Sequence, residues 1–63
     1  MYTRCFERFA YNPYTDEEVY EVVNISPYGF EWYQNNKVVR SGCVEDMDAD
    51  IESLLDMNFT EVL

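Results

Sequence analysis

Two runs of strand-forming residues, Phe30-Glu31-Trp32-Tyr33-Gln34 and Lys37-Val38-Val39-Arg40-Ser41, flank the dipeptide Asn35-Asn36. A two-residue loop between strands needs positive φ at its central positions, and after glycine asparagine tolerates that conformation best. The segment is therefore expected to form a β-hairpin, with Phe30, Trp32 and either Val38 or Val39 meeting on one sheet face and Gly42 ending the ladder. Ser26-Pro27-Tyr28-Gly29 supplies a turn just before it. Upstream, Glu17 to Ile25 carries the β-branched Val19, Val22, Val23 and Ile25 and is expected to be a strand. Thr15 and Glu18 at capping-box spacing leave a helix open there. Residues 2 to 11 are rich in aromatics and end at Asn12-Pro13-Tyr14-Thr15-Asp16, again a strand and turn, although Tyr2, Cys5, Phe6, Phe9 and Ala10 also fit a helical stripe.

The last third of the chain has a different period. From Glu45 to Leu63 lie seven of the thirteen acids and no base. Met47, Ile51, Leu54, Leu55, Phe59 and Val62 recur at three- and four-residue intervals, which places them along one side of a helix and sets Asp48, Glu52 and Asp56 in a separate row. Asp46 or Asp48 is placed to cap this helix, and the acids of its first turn complement the positive end of its dipole. The expected fold class is α+β: one domain over residues 1–63, an antiparallel meander of about four strands with a C-terminal acidic amphipathic helix packed on the sheet. The expected core is Phe6, Val19, Val23, Ile25, Phe30, Trp32, Val39, Ile51, Leu54 and Leu55.

Sixty-three residues bury only roughly 60% of the surface an unfolded chain exposes, so such a domain is marginal on its own. A four-strand meander also has two open edges, and a homodimer through an edge strand or an aromatic face is one expected remedy. The chain is 48% hydrophobic and 17% aromatic, a composition that folds, and it carries a formal charge of −9. That charge repels nucleic acid and anionic membranes and steers the protein toward basic surfaces. No run approaches the roughly 18 apolar residues of a membrane span. Cys5 and Cys43 lie far apart, and no apolar leader precedes them, which points to a reduced, cytoplasmic setting with both cysteines as small core residues.

The residue types exclude most chemistry. The chain has no histidine and only two cysteines, so no zinc-type ligand set can be assembled and no cofactor is expected. Asp46, Asp48 and Asp50 have the spacing of the first three ligands of a calcium loop, but Ile51 stands where the sharp-turn glycine belongs and Met57 where the bidentate glutamate belongs. No glycine-rich phosphate loop occurs, no nucleophile sits beside a base, and the carboxylates fall in runs expected to be exposed, so the chain is not expected to be an enzyme. Asn58-Phe59-Thr60 matches a glycosylation triplet that a cytoplasmic protein does not use.

What remains is the patterned charge. Acids gather at Asp16, Glu17, Glu18 and Glu21 and again from Glu45 to Glu61, whereas Arg4, Arg8, Lys37 and Arg40 lie elsewhere. Asp48, Glu52 and Asp56 are spaced about 6 Å apart along a helix axis. Alternate phosphates of one DNA strand advance about 6.8 Å, so a carboxylate row can occupy a Lys/Arg groove built for phosphates. In size, charge and aromatic content the chain resembles the small acidic proteins that bacteriophages and mobile elements make to disable host enzymes, among them anti-CRISPR proteins, uracil-DNA glycosylase inhibitors and other DNA mimics. The resemblance spans the whole chain, rests on no shared motif and carries over no residue roles. It implies a stoichiometric inhibitor that blocks a nucleic-acid-binding site on a host protein. From the residues themselves, the candidate partner-binding set is Asp48, Glu52, Asp56, Asp16, Glu17 and Glu18, with Tyr11, Tyr14, Tyr28 and Tyr33 suited to an interface. The alternative is an adaptor or subunit of a larger assembly, docked through its helix or an edge strand, whose charge serves only solubility.

Overall fold

The computed structural model describes residues 4–62. Tyr2, Thr3 and Leu63, which the expected first strand and final helix included, lie outside the described residues. Five strands and one helix follow in the order β1 (Arg4–Asn12), β2 (Glu17–Ser26), β3 (Gly29–Gln34), β4 (Lys37–Gly42), α1 (Met47–Asp56) and β5 (Thr60–Val62). All pairings are antiparallel, in the spatial order β4-β3-β2-β1-β5. Both segments for which a helix was open are strands, because β1 pairs with β2 along its whole length, from Arg4↔Ile25 to Asn12↔Glu17.

The turns follow from their residues. Asn35 and Asn36 both have positive φ, 50° and 69°, the pair of conformations a two-residue hairpin loop demands. Gly29 sits against the neighbouring strand so closely that a β-carbon there would collide with the Gly42 carbonyl oxygen. One extra residue, Val39, bulges from β4 between the pairs Trp32↔Arg40 and Tyr33↔Val38. Every residue of β4 is exposed, and a bulge with Lys37 and Arg40 nearby is a usual defence of an edge strand.

The C-terminal segment is not one helix: α1 stops at Asp56, and a fifth strand pairs with β1 at Cys5↔Val62 and Glu7↔Thr60. The cause is Asn58, whose φ of 69° reverses the chain. The Asn58 amide donates to the Leu55 carbonyl (3.1 Å) and the Phe59 amide to the Leu54 carbonyl (3.0 Å), the paired bonds of a Schellman ending. Leu54 and Phe59 are both buried, which supplies the apolar contact that accompanies this motif. Leu55 and Val39, placed in the core by the sequence, are 51% and 46% exposed. Leu55 falls on the outward side of a helix that ends one residue later, and Val39 is the bulged residue. Val38 lies opposite Tyr33 and not beside Phe30 and Trp32, since the bulge shifts the side-chain alternation between them.

The buried cluster is Phe6, Val23, Ile25, Ile51, Leu54 and Phe59, with Phe30, Trp32, Val44 and Met47 packed against it. Val19 is only half-buried. Ile51 and Leu54 come from α1, Phe6 from β1, and Val23 and Ile25 from β2, so the helix covers one face of the sheet. The carboxylate of Asp46 caps α1 by accepting from the Ala49 amide (3.3 Å).

Candidate functional site

Strand register sorts every charged side chain onto one of two faces, because directly paired residues share a face and neighbours along a strand alternate. The covered face carries the cross-strand rows Arg4-Ile25-Phe30-Gly42, Phe6-Val23-Trp32-Arg40 and Arg8-Glu21-Gln34-Lys37. All four bases of the chain therefore stand on the helix side. The opposite face, which no helix covers, carries the rows Cys5-Asn24-Glu31-Ser41, Glu7-Val22-Tyr33-Val38, Phe9-Tyr20 and Tyr11-Glu18. It holds carboxylates and no Lys or Arg.

Two of the bases are consumed structurally. Arg4 donates to both Glu61 carboxylate oxygens, at 2.7 and 2.5 Å, and these bonds hold the Glu61 carboxyl below its ordinary range. Arg8 is the centre of a denser arrangement. Its Nε donates to Glu21 Oε2 (2.6 Å), its NH1 donates to the Met57 carbonyl (2.7 Å), and its guanidinium stacks 4.5 Å from the Phe59 ring centroid. Glu21 is only 4% exposed and also accepts from Gln34 Nε2 (2.8 Å). One arginine thus neutralises a buried carboxylate and supplies the positive charge missing from the last turn of α1. Arg40 lies over the Trp32 ring, 5.9 Å from its centroid. With Asp50 it borders an apolar cavity of about 160 Å³ between the sheet and α1, lined among others by Phe30, Trp32, Leu54 and Met57.

The sequence-predicted site residues fall in two groups. Asp48, Glu52 and Asp56 are all exposed on α1, and none takes part in an ion pair; among the described residues the ion pairs are Arg4–Glu61 and Arg8–Glu21. Asp16 lies in the β1–β2 turn, and Glu17 and Glu18 begin β2, all exposed. The two groups are not in contact. Arg8 marks the end of α1, and Asn12, the partner of Glu17, is four residues further along β1, about 13 Å at strand rise. The hairpin tip therefore projects past the C-terminal end of the helix. Among the described residues no His, Cys, Asp or Glu side chains gather as a metal-ligating group. Cys43 is exposed and Cys5 half-buried, and neither forms a disulfide. Burial, and secondarily the nearby Glu7 charge, pushes the Cys5 thiol up.

Sequence reasoning missed the open sheet face. There Phe9 is 71% exposed and stacks on Tyr20 with ring centroids 4.9 Å apart. Three tyrosine hydroxyls donate to carboxylates: Tyr20 to Glu7 (2.5 Å), Tyr33 to Glu31 (3.1 Å) and Tyr11 to Asp16. Each bond raises the phenol's pKa above its ordinary value, because ionising the phenol would remove the donor and set two negative charges together. The signal was present as parity: Arg4, Phe6 and Arg8 alternate with Cys5, Glu7 and Phe9 in β1. Of the tyrosines singled out for an interface, Tyr11, Tyr14 and Tyr28 are exposed and Tyr33 is half-buried on this open face.

No protein-family model matches the chain, and neither does any curated protein or solved structure.

Proposed function

We propose that this is a non-catalytic, acidic protein-binding module that occupies a nucleic-acid-binding site on a basic host protein, an inhibitor of the DNA-mimic type acting in the cytoplasm. The support is the outer surface of α1. The helix turns Ile51 and Leu54 into the core and Asp48, Glu52 and Asp56 outward, with no base to neutralise them. From Asp48 to Asp56, eight helical steps, that row is about 12 Å long. A groove of Lys and Arg that evolved to hold phosphates meets carboxylates at nearly the same interval, and the association relieves the crowding of its positive charge. Asp16, Glu17 and Glu18 extend the acidic surface beyond the helix. No helix of the described residues is long and apolar enough to cross a membrane.

The test is displacement. The immobilised protein should retain nucleic-acid-binding proteins from a bacterial lysate, and added duplex DNA should release them at concentrations where an equal amount of neutral polymer does not. Retained proteins indifferent to DNA would overturn the mimicry.

A second reading has its own support. β4 is an exposed edge strand beside the apolar cavity, so a strand and one side chain from a larger assembly could dock there, making the chain an adaptor whose charge serves only solubility. Apolar docking of that kind changes little with salt, whereas mimicry weakens steeply.

A further inference from the structure

We infer that the open sheet face is a second, independent contact surface, one that binds an arginine-bearing segment of a protein through Phe9, Tyr20, Val22 and Tyr33 with Glu7 and Glu31 among them. It shares with the proposed function the expectation of a basic protein partner, but it lies on the side of the sheet away from α1 and does not use the helix row.

Three observations specify the occupant. First, the face carries apolar side chains that no helix covers: Phe9 is 71% exposed and stacks on the half-buried Tyr20, beside the row Glu7-Val22-Tyr33-Val38, in which Val38 is exposed and the others are half-buried. Large apolar side chains left exposed side by side on a sheet face mark a contact surface. Second, its charge has one sign. Glu7, Glu18 and Glu31 stand on it, while Arg4, Arg8, Lys37 and Arg40 all stand on the other side. A second copy laid face to face would set these carboxylates against one another with no base between them, so a homodimer through this face is disfavoured. Nucleic acid is repelled for the same reason. Third, carboxylates and rings are held together: the Tyr20 and Tyr33 hydroxyls donate to Glu7 and Glu31, which fixes the acids beside the rings.

A guanidinium suits that combination better than an ammonium. It is planar, stacks on aromatic faces, and takes a carboxylate through two parallel hydrogen bonds, whereas lysine offers a compact, strongly hydrated charge. The protein already uses this chemistry internally, with Arg8 stacked on Phe59 while bonded to Glu21. The β1–β2 arm gives a further reason for a partner. Tyr20 is still tied to Asn35, whose amide donates to its carbonyl (2.9 Å) and whose Oδ1 accepts from its amide (3.1 Å), but beyond Phe9 and Tyr20 the arm is paired to neither β3 nor β5, and a two-stranded ribbon is marginal in water until something packs on it.

The test uses the ¹⁵N-labelled protein titrated with a short peptide alternating arginine and glycine, and with its lysine counterpart. Amide shifts at Glu7, Phe9, Tyr20, Val22 and Tyr33, with the arginine peptide binding more tightly than the lysine one, are the expected result. Phe9→Ser leaves the charge unchanged and should weaken the arginine peptide about fivefold while the amide spectrum stays folded. Glu7→Gln with Glu31→Gln keeps acceptors for both tyrosines and should remove the preference for arginine. Shifts confined to Asp48, Glu52 and Asp56 would overturn this inference and leave the helix reading standing. Equal affinity for the lysine peptide, an unaffected Phe9→Ser variant, no shifts at all, or concentration-dependent self-association through this face would each overturn it too. The DNA-displacement result is independent of all of these outcomes.

Discussion

The two faces of the sheet differ in how they treat charge. On the covered face every mechanism of burial is at work: Arg8 and Glu21 neutralise each other beside Phe59, Arg4 holds Glu61, and Ile51 and Leu54 close the core. On the open face the same strands present acids with hydroxyl donors and no base at all. A chain with four bases and thirteen acids has few cations to distribute, and the fold places all four on the helix side, where Arg4 and Arg8 are held in ion pairs. The surplus negative charge is therefore left pointing outward from α1, from the β1–β2 tip and from the open face.

The largest effects should come from breaking the covered face at Arg8. Arg8→Met leaves Glu21 buried and unpaired and removes the cation at the end of α1, which should cost about 3–5 kcal/mol, comparable with the whole stability of so small a domain. Circular dichroism should show an unfolded or barely folded chain. Combining it with Glu21→Leu should restore folding, because a buried pair replaced by apolar residues is often neutral. A fully folded Arg8→Met variant would mean that the pair is not part of what holds the faces apart. Next is the core itself. Leu54→Ala should cost about 2–5 kcal/mol, whereas Leu55→Ala, half-exposed on the next helical position, should stay within about 0.5 kcal/mol in chemical denaturation. Equal losses would contradict the short helix and its reversal at Asn58.

The smallest effects are those of pH. Glu61 has its folded pKa lowered by Arg4, so that pair's contribution is complete above the unfolded value and disappears as pH falls through the folded one. The melting temperatures of wild type and Arg4→Gln should accordingly converge in acid. The phenols of Tyr11, Tyr20 and Tyr33 are shifted the other way, so their bonds persist through neutral pH and are lost as pH rises through their raised values. Phenolate absorbance should show ionisation above that of the unfolded chain, and Glu7→Gln should lower the Tyr20 step. A covered face failing in acid and an open face failing in base would be the signature of the two arrangements.

Much of the fold was legible because local chemistry and tertiary structure agree. Asn35-Asn36 made the hairpin, the β-branched run made β2, and Asp46 capped α1. The final strand was not legible because Phe59 and Val62 continue the helical spacing of Ile51 and Leu54, so periodicity ran straight through Asn58. A single left-handed asparagine outweighed that pattern, helped by the burial of Phe59 on Leu54. The acidic candidates, the run Asp16-Glu17-Glu18 and the four-residue spacing of Asp48, Glu52 and Asp56, are all exposed. The open face was not, because it exists only once β1, β2 and β3 are aligned, and no stretch of sequence shows Glu7, Val22 and Tyr33 in one row.

Whether the outward charge of α1 binds a basic protein is decided by the affinity for the DNA-displaced partner, measured at about 50 and 200 mM salt, for wild type and for Asp48→Asn, Glu52→Gln, Asp56→Asn together. These exposed changes should leave the fold within about 0.5 kcal/mol. Wild-type affinity should fall steeply with salt, and the triple variant should bind far more weakly with a flattened salt dependence. A folded triple variant that binds with unchanged affinity at both salt concentrations would contradict the claim and leave the helix row as a solvated face.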